Sequence, residues 1–146
     1  MNKNAQFDTN NYDYNPNSKI GIYLIHGFSS TTYELKQIAK QFADQQYHVV
    51  LNNLPGHATT LEDCNNTKYQ DWLDYSKQEF AMLAAECDDI FIIGSSMGSL
   101  IAMYLASMFP VNGLIIGGTV LTFRNSFTVN YLNPILSKII KYTTKS

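Results

Sequence analysis

Acidic residues and histidines run out early in this 146-residue chain: all 12 Asp and Glu and all 3 His precede Ile90. Beyond that point charge comes only from Arg124, Lys138, Lys141 and Lys145. The formal net charge of −2 gives no reason to expect a nucleic-acid partner. Cysteine is scarce too. Cys64 and Cys87 flank a stretch that reads as helix from about 68 to 86, and roughly 28 Å of helix at 1.5 Å per residue exceeds a disulfide's reach. Both are read as free thiols. The longest apolar run, Leu100–Phe109, is too short to span a bilayer. The opening "MNKNAQFDTNNYDYNPNSK" lacks the apolar core of a signal peptide, so the expected location is cytoplasmic. No G-x-G-x-x-G follows the first strand and no metal-ligand set clusters, so neither cofactor nor metal is expected.

What remains is ordinary for one globular core: 45% hydrophobic and 15% charged residues. Residues 1–18, rich in Asn, Asp and Tyr, read as a polar N-terminal arm, loose or forming a poor hairpin. "GIYLIH" at 21–26 is a β-branched and apolar run suited to a strand buried on both faces. Thr31 with Glu34 reads as a capping box opening a helix to about 45, with Leu35, Ile38, Ala39 and Phe42 at helical spacing. "YHVVLNN" at 47–53 is a second strand and "LPGHATTLEDCNN" a loop. Thr67 with Gln70 reads as another cap, and Trp72, Leu73, Ser76, Phe80 and Leu83 stripe the helix behind it. "IFIIG" at 90–94 and "GLIIGG" at 113–118 are further strands. "MGSLIAMYLASMF" between them is apolar nearly all round, as a central buried helix is.

This alternation of strands and helices predicts an α/β fold: a mostly parallel sheet flanked by helices, occupying residues 19–122. The spatial order expected is 47–52, 20–26, 90–94, 113–117. Residues 123–146 read as the start of a lid or a basic amphipathic helix. There Asn133 and Pro134 form the cap, and Ile135, Leu136, Ile139 and Ile140 share one face.

"GSSMG" at 94–98 matches G-x-S-x-G, with a predicted strand directly before it and a predicted helix directly after. In that setting Ser96 sits on a strained turn above the C-terminal edge of the sheet. Gly94 and Gly98 let strand and helix approach, and the helix N-terminus favours developing negative charge. Acyl transfer at such a serine needs donors for an oxyanion. One is the backbone N–H of the following residue, Met97. The second is expected from "LIHGFSS" at 24–30, where Gly27 lets the chain turn and the N–H of Phe28 points toward the site.

Taken together, "YLIHGFSS", "LNNLPGHA" and "IFIIGSSMGSLIAMYLA", in this order and spacing, resemble the α/β-hydrolase superfamily over about residues 20–120. The likeness is to bacterial carboxylesterases and monoacylglycerol lipases. It implies an acyl-serine mechanism on a small carboxylic ester, with Ser96 as nucleophile and Phe28 and Met97 at the oxyanion positions. His57 matches the GHG loop of such enzymes, with Ala58 where the last glycine is usual.

The order implied by the resemblance is Ser, then Asp or Glu, then His, yet no Asp, Glu or His follows Ser96. The expectation is therefore a core lacking its C-terminal strands, either truncated or completed by a partner chain that brings the acid and histidine. His26 and His57 are read as loop structure. Both lie at the C-terminal edge, so position alone excludes neither as a base. The alternative function is a non-catalytic binding or interaction module that keeps the fold, with weak membrane-surface contact through the C-terminal helix as a variant.

Overall fold

A computed structural model of the chain describes residues 8–122. The lid or amphipathic helix expected at 123–146 lies outside the described residues. Among the described residues the strands are β1 (Tyr12–Tyr14), β2 (Ile20–Ile25), β3 (His48–Leu51), β4 (Asp89–Ser95) and β5 (Gly113–Gly117). The helices are a 3₁₀ turn (Thr32–Glu34), α1 (Lys36–Asp44), α2 (Leu61–Asn66), α3 (Tyr69–Glu86) and α4 (Met97–Met108).

The sheet runs β1-β3-β2-β4-β5, with β2 through β5 parallel and β1 antiparallel at one edge. The four parallel strands stand in the expected order. Period-two alternation along β2 explains the layering. Ile22 and Leu24 face the cluster built with Leu35, Ala39 and Ala43 of α1 and its approach. Tyr23 and Ile25 face Phe80 and Leu83 of α3 and Ile101, Ala102 and Leu105 of α4. The strand is apolar on both sides because helices cover both of its faces.

Several local expectations differ from what is found. Part of the polar arm is a strand: Tyr12, Asp13 and Tyr14 pair with Leu51, Val50 and Val49, because the free edge of β3 offers a ladder that a hairpin within residues 1–18 would have to build alone. The segment at 55–66 is not all loop. Thr60 and Asp63 form a reciprocal capping box over α2, with Thr60 Oγ1 accepting from the Asp63 N–H at 3.1 Å. The start of α3 falls one residue later than expected, with the Lys68 N–H donating to Asp71 Oδ2 at 2.7 Å. Helix α4 buries one stripe, Gly98, Ser99, Ile101, Ala102 and Leu105, while Leu100, Met103 and Met108 are exposed among the described residues. The edge strand β5 likewise exposes Leu114, Ile115 and Ile116.

Where β2, β4 and α4 meet, the backbones touch. A Cβ on Gly98 would overlap the carbonyl oxygens of Ile25 and His26, the latter at 2.6 Å. One on Gly94 would run into Gly98 and come within 2.7 Å of the Ser99 Cα. A Cβ on Gly117, by contrast, meets nothing within 4 Å among the described residues. Gly98→Ala is expected to cost about 2–3 kcal/mol in urea unfolding, because backbone on the opposite side cannot yield. Gly117→Ala is expected to stay within about 0.5 kcal/mol of the parent in the same measurement.

Candidate functional site

Ser96 occupies the single-residue turn between β4 and α4, with φ 51° and ψ −116°. A non-glycine residue in that left-handed region is strained and holds only where its surroundings over-determine it. Here the Ser96 N–H donates to the Gly117 carbonyl at 2.7 Å. Ser99 Oγ, one turn into α4, donates within reach of the carbonyls of Gly94 and Gly117 at 2.8 and 2.9 Å. The Ser96 side chain makes no capping bond to α4. Met97, the first helical residue, has no intrahelical partner for its N–H.

The loop after β2 packs directly on this turn. A Cβ on Gly27 would lie 3.1 Å from the Ser96 Cβ and 3.5 Å from the Ser95 carbonyl. The Gly27 carbonyl is held from two sides, by His26 Nδ1 at 2.9 Å and by the Ser30 N–H at 3.3 Å. A trans peptide is planar, so fixing that carbonyl aims the Phe28 N–H the opposite way. Among the described residues the Phe28 N–H donates to no backbone carbonyl.

His26 is fully buried, and both its ring nitrogens are used. Nε2 accepts from the Leu54 N–H at 3.0 Å, so Nδ1 carries the proton that goes to Gly27. Burial first, and His57 second, push its pKa down to about 4, against the opposing pull of the Gly27 carbonyl and Glu34. His57 is buried as well. Its Nδ1 bonds the Pro55 carbonyl at 3.2 Å, while Nε2 finds no partner among the described residues. Its ring sits edge-on to His26, Phe28 and Trp72, with centroids 5.0, 5.9 and 5.5 Å away. Burial lowers its pKa too. Both imidazoles are therefore neutral parts of loop architecture. Ala58 follows at φ 58°, in the region that glycine enters most readily, which accounts for the glycine usual at that place in the resemblance.

Sequence reasoning missed Glu34. It read as half of a capping box, but Thr31 Oγ1 instead accepts from the Tyr33 N–H at 3.2 Å. The Glu34 carboxylate turns inward: Oε2 accepts from the Gly27 N–H at 3.0 Å and Oε1 from Ser95 Oγ at 2.5 Å. The available signal was its position, seven residues beyond Gly27 on the turn that closes this loop. Trp72, expected only as part of an apolar stripe, donates its indole N–H to the Pro55 carbonyl at 2.9 Å and so ties α3 to the His57 loop.

Ser29, Thr31, His57, Leu61 and Cys64 are among the residues lining a cavity of ≈ 290 Å³, which neither Ser96, Met97 nor Phe28 borders. An apolar groove of ≈ 260 Å³ between Ile22, Phe42, Phe91 and Ile115 lies on the α1 side of the sheet and includes none of these residues. Among the described residues no three His, Cys, Asp or Glu side chains gather closely enough to hold a metal ion.

Comparison with known proteins gives one family and a consistent set of relatives. The family described as serine aminopeptidase, S33, matches residues 16–145. The chain is 35% identical over 97 residues to a thermostable monoacylglycerol lipase of Bacillus sp. (strain H-257), covering 66% of this chain and 39% of that protein. It is 31% identical over 127 residues to an AB hydrolase superfamily protein of Gibberella zeae, covering 84% and 42%. Among solved structures, one of the metagenome-derived lipolytic enzymes LipS and LipT superposes with a TM-score of 0.75 at 26% identity, covering 80% of this chain and 48% of that one. A soluble variant of monoglyceride lipase from Saccharomyces cerevisiae superposes at 0.67 with 18% identity, a likeness of fold, over 84% and 44% of the two chains. The matches thus span less than half the length of each of these relatives.

The neutral, buried His26 makes a pH prediction. Its folded pKa lies below the 6.5 of an unfolded histidine, so protons bind preferentially to the unfolded chain. Its contribution to stability is complete above pH 6.5 and is lost as pH falls toward 4, on the order of 1 kcal/mol per pH unit. Urea midpoints measured from pH 7 to pH 4 should fall more steeply for the parent than for His26→Gln.

Proposed function

This chain belongs to the serine aminopeptidase S33 family and has the α/β-hydrolase fold, and from that premise we propose that Ser96 is the nucleophile of a carboxylic-ester hydrolase. The observation that carries the reading is the strained Ser96 turn, pinned to Gly117 and packed under the loop of Gly27 and Phe28. In the proposed reaction Ser96 Oγ adds to the ester carbonyl, and the N–H groups of Phe28 and Met97 receive the oxyanion. Collapse of that intermediate expels the alcohol and leaves acyl-Ser96, which water then hydrolyses to the acid and free serine. Monoacylglycerol lipase activity named for a relative supports an ester with a fatty acyl chain as the substrate class.

The proton from Ser96 needs a base, and neither His26 nor His57 is placed to supply it. His26 has both nitrogens committed, and the free nitrogen of His57 is buried. No Asp, Glu or His follows Ser96. The reading therefore assigns the acid and histidine to residues outside these 146, in continuation of the chain or on a partner. No helix among the described residues is long and apolar enough to cross a membrane, and a cytoplasmic setting belongs to the same proposal.

The experiment is labelling of the 146-residue chain with a fluorophosphonate, with Ser96→Ala as control. Labelling should be confined to Ser96 and slow, since loss of the base and its orienting acid costs about 10⁴ to 10⁶ in turnover. Absence of Ser96-dependent label after long exposure would overturn the serine mechanism. Rapid, stoichiometric labelling would overturn the external base instead and direct mutagenesis to His57.

A further inference from the structure

Glu34 joins two segments that the sheet alone does not hold in register. One is the loop after β2, which carries Phe28; the other is Ser95, the last residue of β4 before Ser96. Its two carboxylate oxygens divide the work, Oε2 on the Gly27 N–H and Oε1 on the Ser95 hydroxyl. Glu34 is exposed as a residue, with its carboxylate bonded on the side that faces the loop. Partial desolvation works against its charge, yet the bonds from Ser95, Gly27 and Ser30 hold its pKa below the usual Glu range. Hydrogen bonds to an ionised acceptor are roughly twice as strong as neutral ones.

We propose that Glu34 is a positioning residue for the oxyanion hole, stapling the Gly27–Phe28 loop onto the turn that presents Ser96. The inference rests on the serine reading above and extends it to a residue that touches no substrate. Three contacts define Gly27. Glu34 fixes its N–H, while His26 and the Ser30 N–H fix its carbonyl. With both of its polar groups held and Ser96 Cβ against its α-carbon side, the loop has no freedom left to swing the Phe28 N–H. Ser30 acts within the loop itself, and His26 ties it to Leu54 after β3. Glu34 is the member of this set that also grips β4, so it sets the distance between the two proposed donors rather than the direction of one.

Glutamine at 34 keeps the volume but removes the charge: its one carbonyl oxygen can accept from Gly27 only if its amide donates to a reversed Ser95 hydroxyl, so both contacts survive at best as weaker neutral bonds and the staple loosens. The test uses the 146-residue chain and the variants Glu34→Gln, Ser95→Ala and the double mutant. Two quantities are read: the rate of Ser96 labelling by excess fluorophosphonate, and amide hydrogen exchange at Gly27 by NMR under conditions where every variant is folded. Loss of an oxyanion donor costs about 10² to 10³ in turnover, so a misaimed one should slow labelling at least about 10-fold in Glu34→Gln. Gly27 exchange should rise by a similar factor. Because both residues act through one staple, the double mutant should be no slower than Glu34→Gln alone. Equal labelling rates in the parent and Glu34→Gln overturn the positioning role, as do unchanged Gly27 exchange or additive single-mutant effects. A parent chain that protects Gly27 but never labels at Ser96 defeats the serine reading itself, which separates the two failures.

Discussion

The approach of α4 to the end of β2 governs the rest of this structure. Gly98 faces the carbonyls of Ile25 and His26 so closely that no side-chain carbon fits between them, and Gly94 stands in the same relation to Gly98. Only at that spacing can β4 pass into α4 through one residue. That residue, Ser96, then carries a backbone strain of about 1–3 kcal/mol. The strain is offset locally: the Gly117 carbonyl takes the Ser96 N–H, and the Ser99 hydroxyl bridges Gly94 and Gly117. Those bonds also bring the end of β5 to the turn, so three strands and one helix converge on a single serine.

Outward from that point runs a chain of polar contacts through the loop after β2. Glu34 holds Gly27 and Ser95, and the 3₁₀ turn bearing Glu34 is itself held from behind. The Thr32 N–H donates to Asn53 Oδ1 at 3.0 Å, and Thr32 Oγ1 donates to the Asn10 carbonyl at 2.9 Å. Asn53 reaches the carbonyls of Asp8 and Asn10 with its amide nitrogen, 3.1 Å in each case. Asp8 is buried against Lys36 at 2.8 Å and the Tyr12 hydroxyl at 2.6 Å. The N-terminal segment thus works as a brace for the site loop, and this is the physical reason that its Asn and Asp residues are ordered around β1.

His26 and His57 explain how such a loop is built. A neutral imidazole offers one donor and one acceptor at fixed spacing, and His26 uses both to tie Gly27 to Leu54. His57 closes the aromatic packing of Phe28 and Trp72 over the same region. Burial keeps both rings uncharged, which suits scaffolding and works against proton transfer near neutral pH. The charge asymmetry along the sequence fits this division. The half bearing Ser96 and Met97 brings backbone donors and a helix terminus, and no acid.

Much of this was legible in the residues themselves. Apolar β-branched runs mark four parallel strands, the inner ones apolar throughout because helices cover both of their faces, and G-x-S-x-G between a strand and an apolar helix fixes where Ser96 lies. Those are local rules of backbone geometry and burial, and they act over a few consecutive residues. The rest depended on which segments meet. Glu34 and Thr31 satisfy a capping-box pattern in sequence, yet the carboxylate is drawn to Gly27 and Ser95, 61 positions apart from it in the latter case, because folding places unpaired donors within its reach. Tyr12–Tyr14 became a strand because β3 left an open edge, and Lys68 rather than Thr67 caps α3 because Asp71 answers its N–H. The sequence by itself determined the layered α/β core and the serine at its strand-to-helix turn. The tertiary structure alone decided which polar groups hold that turn and its neighbouring loop, since hydrogen-bond partners far apart in the chain are chosen by proximity after the core has formed.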